Sequence, residues 1–172
     1  MGETRFPTGS WEKEQKMSDR FFVLLVHSRT VPFDSLKSAL TKLNIATSSV
    51  GSLEGARRLI RQTEPDLIFT DTALPDGSWP DVIKLANHLG TPTSVIVVSP
   101  LTDIKLYWAV RERGAHDFIM PPFELDWLAL IVQRAVERAR YLRHAQARAA
   151  EAWRVGWAER HRRVFPERDR TS

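Results

Sequence analysis

Apolar positions along the chain follow two alternating rhythms. Residues 21–26, 67–70 and 94–98 are short, nearly continuous apolar runs, too brief for helices and suited to strands buried on both faces. Residues 45–50 mix β-branched and hydroxyl side chains, as an edge strand does, and residues 117–119 form a short fifth strand. Between the runs the spacing becomes helical. Phe33, Leu36, Ala39, Leu40 and Leu43 share one stripe; Leu53, Ala56, Leu59 and Ile60 share another; Val82, Ile83, Leu85, Ala86 and Leu89 form a third. A fourth helix is predicted over 102–113 and a fifth from Leu125. Pro32, Ser52 and Pro80 mark helix starts, Gly90 and Gly114 mark ends, and Leu74-Pro75-Asp76-Gly77 is turn chemistry. Strict alternation of strand and helix predicts a doubly wound α/β domain, a parallel sheet of five strands covered on both faces by five helices, the last of them extended.

Composition adds an asymmetry to this pattern. The chain has 172 residues, enough for one domain with appendages, and 42% hydrophobic residues are sufficient for a core. No apolar run is long enough to cross a membrane and the N-terminus has no secretory signal, which predicts a cytoplasmic protein without a membrane partner. The absence of cysteine excludes disulfides and thiol chemistry. Residues 1–20 lack any period and read as a disordered leader, 21–140 as the domain, and 141–172 as an Arg-rich helical extension. From residue 134 onward there are eleven arginines and no lysine against five acids, so a near-neutral domain carries a basic tail.

In a doubly wound sheet, functional groups gather beyond the carboxyl ends of the strands. Here these are His27-Ser28, Asp71-Thr72, Ser99-Pro100 and Met120-Pro121. No glycine-rich phosphate loop follows the first strand, which disfavours dinucleotide and nucleoside triphosphate sites. Asp71 followed by Leu74-Pro75-Asp76-Gly77, Ser99 after the fourth strand, and Gly114-Ala115-His116-Asp117-Phe118-Ile119-Met120-Pro121-Pro122-Phe123 together resemble the receiver domain of two-component response regulators. The likeness runs from about residue 20 to 140 and implies a flavodoxin-like sheet in the order 2-1-3-4-5.

The resemblance implies phosphoryl transfer from a histidine kinase to an aspartate, which falls on Asp71. It also implies an acidic pair for Mg²⁺ after the first strand, where this chain has His27 and Ser28, and a lysine where it has Pro121. Magnesium prefers hard carboxylate oxygens, so the expected cofactor is none, with Mg²⁺ binding weak or absent. The switch positions are Ser99 and Phe118. Arg29, Asp103 and Lys105 are candidates to compensate in part. Without the family context, Asp71 reads as a loop or helix cap, His27 as a hydrogen-bonded edge histidine, Ser99 as a strand-terminal hydroxyl, and Phe118 as core. Pro121-Pro122 is either a cis pair or a stiff turn.

The last helix continues past the end expected for such a domain, interrupted only by Gly156 and Pro166. Leu128, Val132, Ala135, Ala139, Leu142, Gln146, Ala149 and Trp153 recur in steps of four and three, a heptad-like seam. Three readings stay open for the tail. They are homodimerisation anchored by Leu142, Trp153 and Trp157; nucleic-acid contact through arginines including Arg160, Arg162 and Arg163; and a solvated basic face with both tryptophans folded onto the domain. Trp108 marks a second candidate partner surface. The leading expectation is a non-catalytic receiver-type signalling protein, independent of phosphorylation and acting through protein association. The alternatives are a working phosphoacceptor at Asp71 and a basic DNA-associated regulator.

Overall fold

The structure, a computed structural model, describes residues 21–164 except 89 and 102, with backbone alone from 158 onward. Strands β1 (Val23–Val26), β2 (Thr47–Val50), β3 (Leu67–Asp71), β6 (Ser94–Val98) and β7 (Asp117–Ile119) form one parallel sheet in the order β2-β1-β3-β6-β7. This is the expected 2-1-3-4-5 topology, with the last two strands renumbered because the chain adds a small hairpin, β4 (Ala73–Leu74) and β5 (Gly77–Ser78). The hairpin was read from sequence only as a turn, since two-residue strands are too short to show a period.

Helices α1 (Phe33–Lys42), α2 (Leu53–Thr63), α3 (Trp79–His88), α4 (Ile104–Glu112) and α5 (Leu125–Val164) cover the sheet. Alternation along the central strands divides the core in two. Leu25, Phe69 and Ile96 face α1 and the first half of α5, against Phe33, Leu36, Leu40, Leu128 and Val132. Leu24, Val26, Ile68 and Val97 face α2, α3 and α4, against Ala56, Ile60, Val82, Ile83 and Val110. Each strand is therefore apolar on both sides, which accounts for the continuous runs.

Helix ends are set by local chemistry. Ser52 caps α2 through the Gly55 N–H at 3.0 Å, and Asp103 caps α4 through the N–H groups of Lys105 and Leu106 at 2.9 and 3.1 Å. Gly114 follows α4 at φ +83, a left-handed conformation that suits glycine.

Helix α5 is extended as expected and runs 40 residues through Gly156 without interruption, because one glycine costs only about 1 kcal/mol among strong helix formers. Leu128, Val132, Ala135 and Ala139 are buried on this helix, whereas Trp153 is 65% exposed and Trp157 is also exposed. The tryptophans are thus not folded onto the domain. The leader and the side chains of Arg160, Arg162 and Arg163 lie outside the described residues.

Candidate functional site

Parallel strands deliver their carboxyl ends to one edge of the sheet, and β1, β3 and β6 place His27, Asp71 and Ser99 there. Asp71 is the last residue of β3 and is fully buried, at 0% exposure. A carboxylate in such a place requires hydrogen bonds and a counter-charge. Arg29, from the loop after β1, supplies both. Its Nε donates to Asp71 Oδ2 at 2.8 Å, and its second guanidinium nitrogen donates to Asp71 Oδ1 and, at 3.0 Å, to Thr72 Oγ1. The Thr72 N–H also donates to Oδ1 at 2.6 Å. Both carboxylate oxygens are engaged in a fork of the kind that makes arginine a strong carboxylate partner. The hydrogen bond to Asp71 holds the guanidinium pKa above its ordinary value. Arg29 keeps 47% of its side chain in solvent, so the pair is sealed on the aspartate side only.

The two positions after β1 contribute no carboxylate. The His27 ring stacks on Phe33, with centroids 4.2 Å apart, and its Nδ1 lies 2.8 Å from the Arg29 carbonyl oxygen. That contact helps shape the loop that carries Arg29. Ser28 is exposed. Magnesium favours octahedral oxygen coordination with carboxylates. One carboxylate already clamped by a guanidinium, an imidazole and a hydroxyl do not fit it, and no cluster of three His, Asp or Glu occurs among the described residues.

The remaining site positions surround this pair without joining it. Ser99 is buried, and its hydroxyl exchanges 3.2 Å hydrogen bonds with the backbone of Leu101. Pro121, joined to Pro122 by a cis peptide, offers no donor where the resemblance places a lysine. Phe118 is buried in the core, with Tyr107 edge-on at 6.4 Å. Of the three candidate compensating residues, Arg29 reaches Asp71; Asp103 is spent capping α4, and the exposed Lys105 lies in its first turn. Trp108 is 61% exposed on α4.

The loop after Asp71 is held by a contact the sequence did not disclose. Asp76, read as a turn residue, accepts from the N–H groups of Leu53 and Glu54 at 2.7 and 2.9 Å, bracing the hairpin against the start of α2. These bonds hold its carboxyl below the ordinary range. Asp66 and Arg143 were also missed. Asp66, just before β3, accepts from Arg143 Nη1 at 2.8 Å and from the Phe22 N–H at 3.1 Å. Arg143 reaches on to the carbonyl oxygens of Pro92, Pro65 and Glu64. An acid directly before a buried strand was the only signal available; its partner lies 77 residues away.

Comparison with known proteins gives this geometry a context. Residues 23–133 match the response regulator receiver domain family. The regulatory protein LuxO of Vibrio cholerae is 31% identical over 108 residues, covering 63% of this chain and 24% of that protein. The DNA-binding transcriptional regulator NtrC of Azospirillum brasilense is 29% identical over 101 residues, covering 59% of this chain and 21% of its own length. The chain thus matches about a quarter of these larger regulators. The crystal structure of the receiver domain of a LuxO repressor from Vibrio parahaemolyticus superimposes with a TM-score of 0.62 at 30% identity, covering 71% of this chain and 94% of that one. The sheet order, the aspartate at the end of β3 and the match over 23–133 agree: the chain belongs to the response regulator receiver domain family.

Proposed function

We propose that this chain is a receiver-type signalling protein whose output is independent of phosphorylation at Asp71 and is delivered through protein association. The observation that carries the reading is the Arg29–Asp71 pair. A carboxylate can attack a phosphorus centre only with a lone pair free to do so, while positive charge neutralises the phosphoryl oxygens. Here the Arg29 guanidinium covers both Asp71 oxygens, so an incoming phosphoryl group must displace it, and the cation nearest to them is spent on the carboxylate. His27, Ser28 and Pro121 bring no carboxylate or ammonium to replace it.

The association half of the reading is supported by exposed aromatic surface. Trp108, Trp153 and Trp157 are all solvent-exposed, and aromatics and arginines dominate interface hot spots. The favoured partner is a second copy joined through α5, in a cytoplasmic setting, with a histidine kinase or signalling complex as the upstream contact. No described helix is long and apolar enough to cross a membrane.

The test is intact mass after incubation with a small phosphodonor and Mg²⁺, alongside an active receiver as control. The wild-type chain is expected to keep its unmodified mass while the control gains one phosphoryl group. A phosphoryl group on the wild type that is absent from Asp71→Ala overturns the reading and makes Asp71 a working acceptor.

A further inference from the structure

The buried stripe of α5 continues beyond the domain without changing phase. At about 100° per residue, Leu128, Val132, Ala135 and Ala139, all within the core, lie on the same helical face as Leu142, Gln146, Ala149 and Trp153. Past Ala139 the domain no longer covers this face: Leu142 is 40% exposed, and Gln146, Ala149 and Trp153 are exposed as well. Where the helix leaves the domain, the stripe forms one wall of a groove of about 390 Å³. Arg138, Leu142, Ala145 and Ala149 stand on one side, with Thr91 and Pro92 on the other. The groove lies at the amino-end edge of the sheet, away from Asp71.

We infer that this face binds a second copy of the chain in antiparallel orientation, with Trp153 of each copy seated in the other's groove. The inference rests on the reading that the chain acts by association, and adds its geometry. The stripe is self-complementary when reversed. With a two-fold axis between Ala147 and Arg148, Leu142 lies opposite the partner copy's Trp153, and Gln146 opposite its Ala149. Each layer pairs a large side chain with a smaller one. Ala145, Ala149, Ala150 and Ala152 let the helices approach closely, and antiparallel seams pair positions in this alternating way.

The groove side chains include Arg138 and no acid, which suits the electron-rich face of an indole. In this register the uncovered parts of the two stripes, from Leu142 to Trp153, overlap across 12 residues, about 18 Å. An overlap of that length, with an indole buried at each end, gives the dimer two equivalent anchors.

The chain has no cysteine, so an introduced one reports on register directly. In the antiparallel register, two copies of Gln146→Cys sit about 4.5 Å apart along the axis and two copies of Gly156→Cys about 25 Å apart. Disulfide formation needs Cα atoms within about 7 Å. Oxidation is expected to cross-link Gln146→Cys and not Gly156→Cys. Sedimentation of the wild type is expected to show a concentration-dependent dimer, weakened about 30-fold by Trp153→Ala, the effect of losing a hot-spot anchor. Trp153 lies on exposed helix, and unchanged circular dichroism will show that the variant remains folded. Cross-linking through Gly156→Cys means a parallel pair, which overturns the inference and leaves the association reading standing. A wild type that stays monomeric at micromolar concentration, or a dimer indifferent to Trp153→Ala, overturns it as well; phosphorylation independence is judged separately, by mass.

Discussion

Strand β3 has an aspartate at each end, and the two differ in what their arginines do. Asp66, just before the strand, and Asp71, its last residue, are both buried, and each is paired with an arginine distant in sequence. Arg143 is largely enclosed. It joins Asp66 to three backbone carbonyls and so fixes α5 to the amino edge of the sheet. Arg29 is nearly half exposed, sits on a loop, and among the described residues its side chain is hydrogen-bonded to Asp71 and Thr72 alone. The same ion pair therefore serves as a fastener at one end and a cover at the other. Burial of a charge alone does not distinguish scaffold from site; the number of elements its partner binds does.

The comparison can be broken most decisively at the fastener. Asp66→Ala removes the acceptor of Arg143 and of the Phe22 N–H, leaving a guanidinium among carbonyls and a strand-end donor unsatisfied. A loss of about 2–3 kcal/mol in urea unfolding is expected. Arg143→Ala should cost about 2 kcal/mol by the same measurement, because it takes from Asp66 its nearest counter-charge, leaving the Phe22 N–H and Arg140 at 3.8 Å, and frees three carbonyl oxygens that water can partly reclaim. If Asp66→Ala is neutral, the pair is not a fastener.

Asp71→Ala is expected to change stability by less than about 1 kcal/mol. Arg29 can swing into solvent, and the variant no longer buries a charge. A loss as large as that of Asp66→Ala would erase the distinction between the two ends.

Smaller effects come from titration at the same two edges. His116, beside the amino edge, has its pKa lowered first by burial and then by Arg138, with Arg111 and Arg134 adding to this and Asp117 opposing. The unfolded chain therefore takes up the proton first as pH falls through about 6.5. Stability should decline below that value, and His116→Gln should flatten the curve between pH 7 and 5.5. On the carboxyl side, Asp76 titrates below its ordinary value because it accepts from α2. Its contribution is present above the unfolded carboxyl pKa and disappears on further acidification, and Asp76→Ala should abolish that acid-range component of thermal unfolding.

Local pattern revealed most of the fold. Continuous apolar runs marked β1, β3 and β6 because each is flanked by helices on both faces, and Ser52 together with Gly114 set helix limits through chemistry confined to a few residues. The hairpin around Pro75 was too short to have a rhythm. At the site, Asp71 was legible from its strand end and the motif after it. Arg29 was visible only as a nearby cation, since its reach across 42 residues depends on how the β1 loop is shaped by His27 on Phe33. Arg143 was hidden for the same reason, being tied to residues that only the folded sheet brings under the helix.

The unbroken course of α5 has a mechanical consequence. The rod that walls the core also carries the distal tryptophans, with no hinge between the two ends, so the angle between Leu128 and Trp153 about the helix axis is fixed by the count of residues between them. Inserting or deleting one residue near position 144 would turn the outer half by about 100° relative to the domain while leaving every side chain intact. Helical phase, and not residue identity alone, is thus a heritable parameter of this molecule, and small length changes in the rod can re-aim whatever it holds.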